Sequence, residues 1–203
     1  KILVMQCDMS NTAAKAIYKD IKACTICAEH LPLGPNPVFQ AHQAAKILIA
    51  GQAPGVRVHK TGQPFNDPSG DRLREWMGID KHTFYNPYQV AIVPMGFCYP
   101  GTGKSGDLPP RKECASAWRE DLLGTMPNVQ LTLIIGQYAQ AWHLKGQQKK
   151  NLTETVKAWR EYGENLLPLV HPSPRNQLWL RRNPWFEQDI LPILKFRVAK
   201  ILN

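Results

Sequence analysis

The sequence lacks the features by which a membrane protein or a secreted, disulfide-stabilised protein is recognised. None of its 203 residues belongs to an apolar run near the roughly 20 residues that a membrane-spanning helix requires. The stretch Lys1–Cys7 is too short for the apolar core of a signal peptide and has no small-residue cleavage site. The five cysteines are an odd number, which does not suit a disulfide framework. We therefore expect a cytoplasmic protein whose thiols are reduced or bind a metal.

Acidic residues are also scarce relative to basic ones. The chain has 25 Lys and Arg against 16 Asp and Glu, which gives a formal net charge of +9 at pH 7. Such a surplus favours a polyanionic partner, because binding releases the counterions that surround the polyanion. A composition of 43% hydrophobic and 20% charged residues excludes a disordered or fibrous chain. The length, without a repeat or a linker, predicts one domain over residues 1–203, which we expect to be monomeric.

Short apolar runs alternate with segments of helical periodicity along most of the chain. The predicted strands are Lys46–Ala50, Val90–Val93, Val129–Ile135 and Leu166–Val170. The predicted helices are Asn11–Cys24, Ser69–Met77 with Ser69 as its N-cap, Lys112–Leu123, Tyr138–Leu144, Asn151–Tyr162 and Trp185–Leu202. This alternation predicts an α/β protein, a three-layer α/β/α domain with a central four-stranded, mainly parallel sheet. A ligand of such a sheet binds at the carboxyl ends of the strands.

Unusual residues gather in the segments that follow predicted strands. Gly51-Gln-Ala-Pro-Gly55 follows the first strand, and its glycines allow either a close approach to a ligand or simply a tight turn. His171-Pro-Ser-Pro-Arg-Asn176 follows the fourth strand and offers an imidazole, a hydroxyl and a guanidinium on a stiff loop. Between them, an aromatic ring (Phe65), a carboxylate (Asp67) and a hydroxyl (Ser69) fall within five residues. Together these segments predict a binding site at one edge of the sheet.

The two loop motifs, in this order and after these strands, resemble the two signature motifs of the uracil-DNA glycosylase superfamily. The segment from Gly62-Gln-Pro-Phe65 to Ser69-Gly70 is similar to the one that carries the base-stacking Phe in the family-four, iron–sulfur enzymes. The resemblance runs from about Cys24 to Asn176. It implies an enzyme, a DNA glycosylase that hydrolyses the N-glycosidic bond of uracil or another deaminated base in DNA during base excision repair.

The resemblance also implies roles around the flipped base. Phe65 is the platform beneath the base, and His171 donates to the pyrimidine O2 as negative charge builds there. Gln52 and the backbone around Ala53 line the other side. Many superfamily members carry Asp or Asn where this chain has Ala53, so that position holds no group that orients the attacking water. Asp67 resembles a carboxylate that family-five enzymes carry in the same segment, and we expect it to orient the water instead.

Contacts with the DNA strand follow from the same resemblance. Ser69, Ser173 and Arg175 suit phosphate contacts. Leu178 is expected to fill the gap that the flipped base leaves, with Trp179 as the alternative. The basic surplus is expected on the face formed by the strand-end loops, near Arg57, Lys60, Lys104, Arg175, Arg181 and Arg182.

One glycine-rich segment matches a known phosphate-binding motif only in part. Gly101-Thr-Gly-Lys-Ser105 resembles a phosphate-binding loop, but the pattern needs Gly where the chain has Cys98, and Gly106–Pro110 intervenes before any helix. We expect a flexible basic loop near the DNA instead.

The identity of the base stays open at the level of sequence. In family four, an Asn four residues before the third cluster cysteine reads the uracil edge, and here that position is Pro94, which has no donor or acceptor on its side chain. Asn66 is the nearest substitute, and uracil, hypoxanthine and xanthine all stay candidates. One alternative is a weak or inactive glycosylase-fold protein that binds DNA or a modified base. Another is a different nucleotide chemistry on the same fold.

The cysteines support the family-four branch. Cys24 and Cys27 form C-x-x-C, and Cys98 and Cys114 lie far downstream. This layout is similar to the four ligands of the family-four cluster, and it predicts a [4Fe–4S] cluster, with zinc as the alternative. Unrelated thiols are the third possibility, and Cys7 is expected to be a bystander.

Overall fold

The computed structural model describes residues 12, 14–104 and 106–203. Cys7 and Asn11 therefore lie outside the described residues. The described chain contains the strands β1 (Ile47–Ala50), β2 (Val90–Ile92), β3 (Thr102–Gly103), β4 (Gly106–Asp107), β5 (Leu131–Ile135) and β6 (Leu166–Leu169). Four of them form one parallel sheet in the order β2-β1-β5-β6. Every residue of β1, β2 and β5 is buried, as expected for a parallel sheet that is covered on both faces.

Helices connect the strands. They are α1 (14–22), α2 (Val56–Thr61), α3 (Pro68–Met77), α4 (Lys81–Phe84), α5 (Lys112–Gly124), α6 (Gln137–Leu144), α7 (Leu152–Lys157), α8 (Gln177–Arg182) and α9 (Leu191–Leu202). Short 3₁₀ turns span Ala28–His30, Trp159–Tyr162 and Pro174–Asn176, and a π-helical segment spans Phe186–Ile190. No helix of the described residues is long and apolar enough to cross a membrane.

Alternate residues of the central strand β1 face opposite layers of helices. Ile47 and Ile49 pack in the same cluster as buried residues of α3, α7, α8 and α9. Leu48 packs with residues of α1 and α5, and Ala50 packs with residues of α6. The sheet thus lies between two helical layers. The predicted three-layer α/β/α architecture with a four-stranded sheet is confirmed.

The prediction that Ser69 caps the helix after the Phe65 segment is wrong. Helix α3 begins at Pro68, and Asp67 is its N-cap, since its Oδ1 accepts a hydrogen bond of 2.9 Å from the backbone N–H of Gly70. A proline is favoured at the first helical position, where its missing N–H costs nothing, and Asp is a strong N-cap. Ser69 lies inside the helix and is buried.

Two predicted helices are interrupted in the structure. The segment predicted as Asn151–Tyr162 consists of α7 followed by a separate 3₁₀ turn. The segment predicted as Trp185–Leu202 changes from a π-helical stretch to α9 at Leu191. Pro192 explains the second change, because it has no N–H to donate back into the preceding turn.

The segment Gly101–Ser105, predicted to be a flexible basic loop, contributes strand β3 to a short antiparallel hairpin with β4. Thr102 pairs with Asp107 and Gly103 pairs with Gly106, while Ser105 lies outside the described residues. Two-residue strands have no periodicity by which a sequence would reveal them. The hairpin matters because it brings Asp107 to the candidate site.

Candidate active site

A cavity of about 250 Å³ opens at the carboxyl ends of the central strands. Both predicted loop motifs reach it, the first directly after β1 and the second after β6. Its lining consists of Val38, Gly51, Gln52, Ala53, Pro54, Gly55, Val58, Pro64, Phe65, Asp67, Ser69, Ile92, Pro94, Asp107, His171, Ser173 and Arg175. This is the position at which open α/β sheets bind ligands, and the lining combines apolar side chains with several convergent polar groups.

Phe65 provides a flat apolar wall of the cavity. Its ring lies against Gly51, where a Cβ atom would be 3.7 Å from the ring carbon Cζ. The backbone of Phe65 has a φ of 53°, in the left-handed region that non-glycine residues rarely adopt. Its ring centroid is 6.4 Å from that of His171, and the two planes differ by 25°. An aromatic platform and an imidazole therefore stand near each other in one cavity.

The hydrogen bonds of His171 determine which ring nitrogen is a donor. Its Nδ1 accepts a bond of 3.1 Å from the backbone N–H of Ser173, so the neutral ring carries its proton on Nε2. The side-chain amide of Asn176 donates to the His171 carbonyl over 2.8 Å and holds the loop. Burial lowers the pKa of His171, while the nearby carboxylates of Asp67 and Asp107 oppose that shift. His171 is thus a neutral N–H donor near pH 7.

Two carboxylates belong to this cavity. Asp67, which the sequence predicts as a site residue, lines the cavity and is also the N-cap of α3. The sequence analysis does not predict Asp107, which lies just after the segment expected to be a basic loop. The only signal for it in the sequence is its place at the end of a glycine-flanked turn. Both carboxylates act on the pKa of His171.

Two arginines that sequence reasoning missed position the loops of the cavity. Arg72 of α3 donates from Nη1 to the Ser173 carbonyl over 3.2 Å and from Nη2 to Oε1 of Gln177 over 3.0 Å. Arg119 of α5 is completely buried, and its Nη1 donates to the carbonyls of Val93 and Pro94 over 3.1 and 2.9 Å. Because these arginines bind residues far away in the chain, no local sequence pattern indicates their role.

Other predicted residues divide between the cavity and its surroundings. Gln52 lines the cavity, but its side-chain N–H donates to the Leu108 carbonyl over 3.1 Å. Asn66 is not part of the lining, so the structure does not bring it to the place of the missing uracil-reading group. Leu178 lies outside the lining and is 56% exposed. Trp179 donates from Nε1 to Thr153 Oγ1 over 2.9 Å.

The residues that are predicted to contact phosphates differ in their exposure to solvent. Ser173 and the buried Ser69 line the cavity, and Arg175 is exposed at its rim. The Arg175 guanidinium lies over the backbone of the hairpin, where a Cβ atom on Gly106 would be 2.7 Å from Nη1. The loop after β6 and the hairpin therefore pack together at the entrance.

The four predicted cysteine ligands line a second, small cavity, together with neighbours such as Phe97 and Arg111. Backbone N–H of Phe97 donates to Cys114 Sγ over 3.3 Å, and Trp118 Nε1–H donates to Cys24 Sγ over 3.2 Å. Burial raises the pKa of the Cys114 thiol to about 12. Within the described residues, no group of three or more His, Cys, Asp or Glu side chains converges on a metal position.

The chemistry of this cavity nevertheless fits a thiolate-bound group. Hydrogen bonds to sulfur are one of the means by which a protein tunes an iron–sulfur cluster. Burial raises the pKa of Cys27 and of Cys98, and the charges of Arg111 and Lys22 respectively oppose that shift. Four sulfurs on one cavity with N–H donors and cations beside them suit Cys₄ ligation in number and type.

Comparison with known proteins identifies the family of the chain. The sequence model of the uracil DNA glycosylase superfamily matches residues 38–195, which include every residue that lines the cavity. The chain therefore belongs to the uracil DNA glycosylase superfamily. It is 26% identical over 164 residues to the type-4 uracil-DNA glycosylase of Thermotoga maritima, which covers 77% of this chain and 80% of that protein.

Proposed function

We propose that this protein is a DNA glycosylase that hydrolyses the N-glycosidic bond of uracil or another deaminated base in DNA. The observation that carries the proposal is the pairing of Phe65 and His171 in one cavity, with the neutral imidazole presenting its Nε2 proton. Glycosylases act on a base that has been rotated out of the stack, and such a base needs a stacking surface and donors to its edge. This cavity offers both.

The leaving base departs with negative charge, and stabilising that charge lowers the barrier. His171 Nε2–H is proposed to donate to the pyrimidine O2, where that charge develops. A neutral donor suits this role, because burial holds its pKa below the ordinary value and the ring keeps one fixed tautomer. Phe65 would stack on the base, while Gln52 and the backbone at Ala53 would enclose its other side.

Asp67 is the proposed group that orients the attacking water. The backbone N–H of Gly70 holds its Oδ1, and Oδ2 accepts no hydrogen bond from the described residues. One oxygen therefore fixes the carboxylate while the other stays available to a water molecule. This arrangement compensates for Ala53, which has no side chain able to bind water.

The DNA strand is proposed to cross the rim of the cavity. Ser69, Ser173 and Arg175 would contact its phosphates, and the exposed Leu178 would enter the space that the flipped base leaves. Trp179 is less suited to that space because its indole is bound to Thr153. The net charge of +9 supports such a polyanionic partner, and the protein is proposed to act as a monomer.

The cysteine cavity is proposed to hold a [4Fe–4S] cluster, with zinc as the alternative. Cys24, Cys27, Cys98 and Cys114 would be its ligands, as the resemblance to the family-four enzymes and the thiol environment suggest. Such a group would supply a covalent cross-link between the segment after α1, the loop after β2 and the start of α5. Its role would be structural, since a different cavity holds Phe65 and His171.

The test is base release from defined oligonucleotides. Single- and double-stranded DNA that carries uracil, hypoxanthine or xanthine is incubated with the protein, and alkali then cleaves any abasic site. We expect breaks at one or more of these bases, and we expect His171→Ala to abolish them. Tight, salt-sensitive binding without breaks would instead indicate a protein that binds the DNA but does not cleave the bond.

A further inference from the structure

Asp107 lies at the mouth of the cavity. It ends strand β4 and lines the same space as Phe65 and His171. Its side chain is exposed, whereas Asp67 and His171 are partly buried. Asp107 therefore stands at the entrance of the cavity, and Asp67 lies further in.

The carboxylate of Asp107 is held at one oxygen. Thr102 Oγ1 donates to Asp107 Oδ1 over 3.2 Å and lies 2.6 Å from the hydroxyl of the buried Tyr99. The Thr102 hydroxyl has one proton, which it donates in the hydrogen bond to Asp107. It therefore accepts a hydrogen bond from the Tyr99 hydroxyl. Asp107 Oδ2 faces the first loop motif, where a Cβ atom on Gly55 would be 3.4 Å away. Oδ2 is thus the oxygen left for a ligand or a water molecule.

The position of the reacting bond follows from the shape of the site, given the proposed function. A flipped base that occupies the cavity beside Phe65 and His171 leaves its sugar outside, so the C1′–N bond lies at the mouth. The attacking water must approach C1′ there. Of the two carboxylates, Asp107 is the one that the hairpin places at the mouth, and both are near enough to His171 to affect its pKa.

We propose that Asp107 is a second catalytic carboxylate, and that it holds the attacking water jointly with Asp67. The water donates one O–H bond to each carboxylate, which directs its lone pair towards C1′. The C1′–N bond breaks and its electron pair stays on the base, where His171 stabilises the charge. The water oxygen bonds to C1′, its proton passes to Asp107 Oδ2, and the released base takes a proton from solvent.

The test compares Asp107→Asn with the wild type in single-turnover base release, on whichever oligonucleotide the wild type cleaves. Asn keeps the shape of the side chain and the hydrogen bond from Thr102 but is a poor proton acceptor. We expect a loss of rate of about 100-fold or more, as for removal of a general base. Asp121→Asn, an exposed change on α5 outside the cavity, is the matched control and should keep the full rate.

If Asp67 and Asp107 hold the same water, the rate losses from their substitutions should not multiply. If one water contacts both carboxylates, the double variant Asp67→Asn with Asp107→Asn should be about as slow as the slower single variant, because either change already releases the water. Thr102→Val should lose a smaller part of the rate, since it frees the Asp107 carboxylate without removing it. Multiplicative losses in the double variant would overturn the joint role.

The outcomes separate this inference from the function on which it rests. A wild-type protein that releases no base overturns both. An active wild type with Asp107→Asn at the same rate overturns the role of Asp107 alone. Melting temperatures are measured in parallel and should stay unchanged, because Asp107 is exposed. A lower rate that merely tracks a larger unfolded fraction would also count against the proposal.

Discussion

The carbonyl oxygen of Phe65 lies where a side chain on residue 70 would have to begin. A Cβ atom on Gly70 would be 1.8 Å from that oxygen, which is far inside van der Waals contact. The first turn of α3, which Asp67 caps, thus packs directly onto the left-handed backbone of Phe65. The conformation that presents the Phe65 ring to the cavity depends on the absence of a side chain at residue 70.

Gly70→Ala should therefore disturb both stability and the site. Backbone atoms have to move apart, and overpacking of this kind costs about 1–3 kcal/mol of the free energy of unfolding. Gly124→Ala is the matched control, since nothing lies within 4 Å of its Cβ position and its φ is ordinary. Chemical denaturation of both variants checks the prediction. Equal stability of the two would show that the contact between Phe65 and Gly70 is not a constraint.

Removal of the His171 imidazole should reduce catalysis without unfolding the protein. Loss of one donor to developing negative charge costs about 10²–10³-fold in rate. His171→Ala is compared in single-turnover base release with His82→Ala, an exposed histidine on α4. Any loss of wild-type rate that comes from His171 protonation should be centred below pH 6.5, because burial lowers the pKa of His171 from its ordinary value. A decline centred near pH 6.5 that disappears in His171→Ala would contradict a neutral donor.

His143 should make the folded state sensitive to acid. Burial and the charge of Arg119 lower its pKa to about 3, and its Nε2 accepts a bond of 2.8 Å from Arg119 Nη2. The unfolded chain takes up a proton near pH 6.5 while the folded chain does not, so stability falls as the pH drops below that value. The slope is about 1.4 kcal/mol per pH unit.

His143→Gln keeps an acceptor for Arg119 and removes the titration. Between pH 7 and pH 5 the wild type should lose about 2 kcal/mol more of its free energy of unfolding than the variant does. Urea denaturation at the two pH values measures the difference. Parallel losses in both proteins would mean that His143 is not held neutral in the fold.

The cysteine site gives a prediction that is independent of activity. Anaerobically purified protein should contain about four irons per chain and absorb broadly in the visible range. Cys98→Ser and Cys114→Ser should lose the iron and lower the melting temperature, whereas Cys7→Ser should change neither. A colourless wild type with one zinc would support the alternative metal, and metal-free protein of full stability would contradict both.

The sheet and the two loop motifs were predictable because their signals are local. Buried apolar runs such as Ile47–Ala50 predict a parallel strand, and a glycine or proline shortly after each strand of the main sheet marks where it ends. Asp67 also stands in a segment with a local signal, and the structure places it in the lining of the cavity. The sequence predicts Ser69 as the N-cap, whereas the helix begins one residue earlier, at Pro68, and Asp67 caps it.

What the sequence could not reveal depends on contacts between distant parts of the chain. Arg119 reaches the Pro94 carbonyl 25 residues away, and Arg72 reaches the Ser173 carbonyl 101 residues away. Asp107 comes to the cavity on strands too short to have a period. Such residues are identified only when the fold has brought their partners together.

The most direct test of the account is to identify a free base after a single turnover. The wild type, His171→Ala and His82→Ala are each incubated with duplex DNA that carries one uracil, hypoxanthine or xanthine, and released bases are identified by mass spectrometry. We predict that the wild type and His82→Ala release the same base and leave an abasic strand of matching amount, while His171→Ala releases at least about 100-fold less. Intact DNA and no free base from the folded wild type, with all three lesions, would contradict the assignment of a glycosylase.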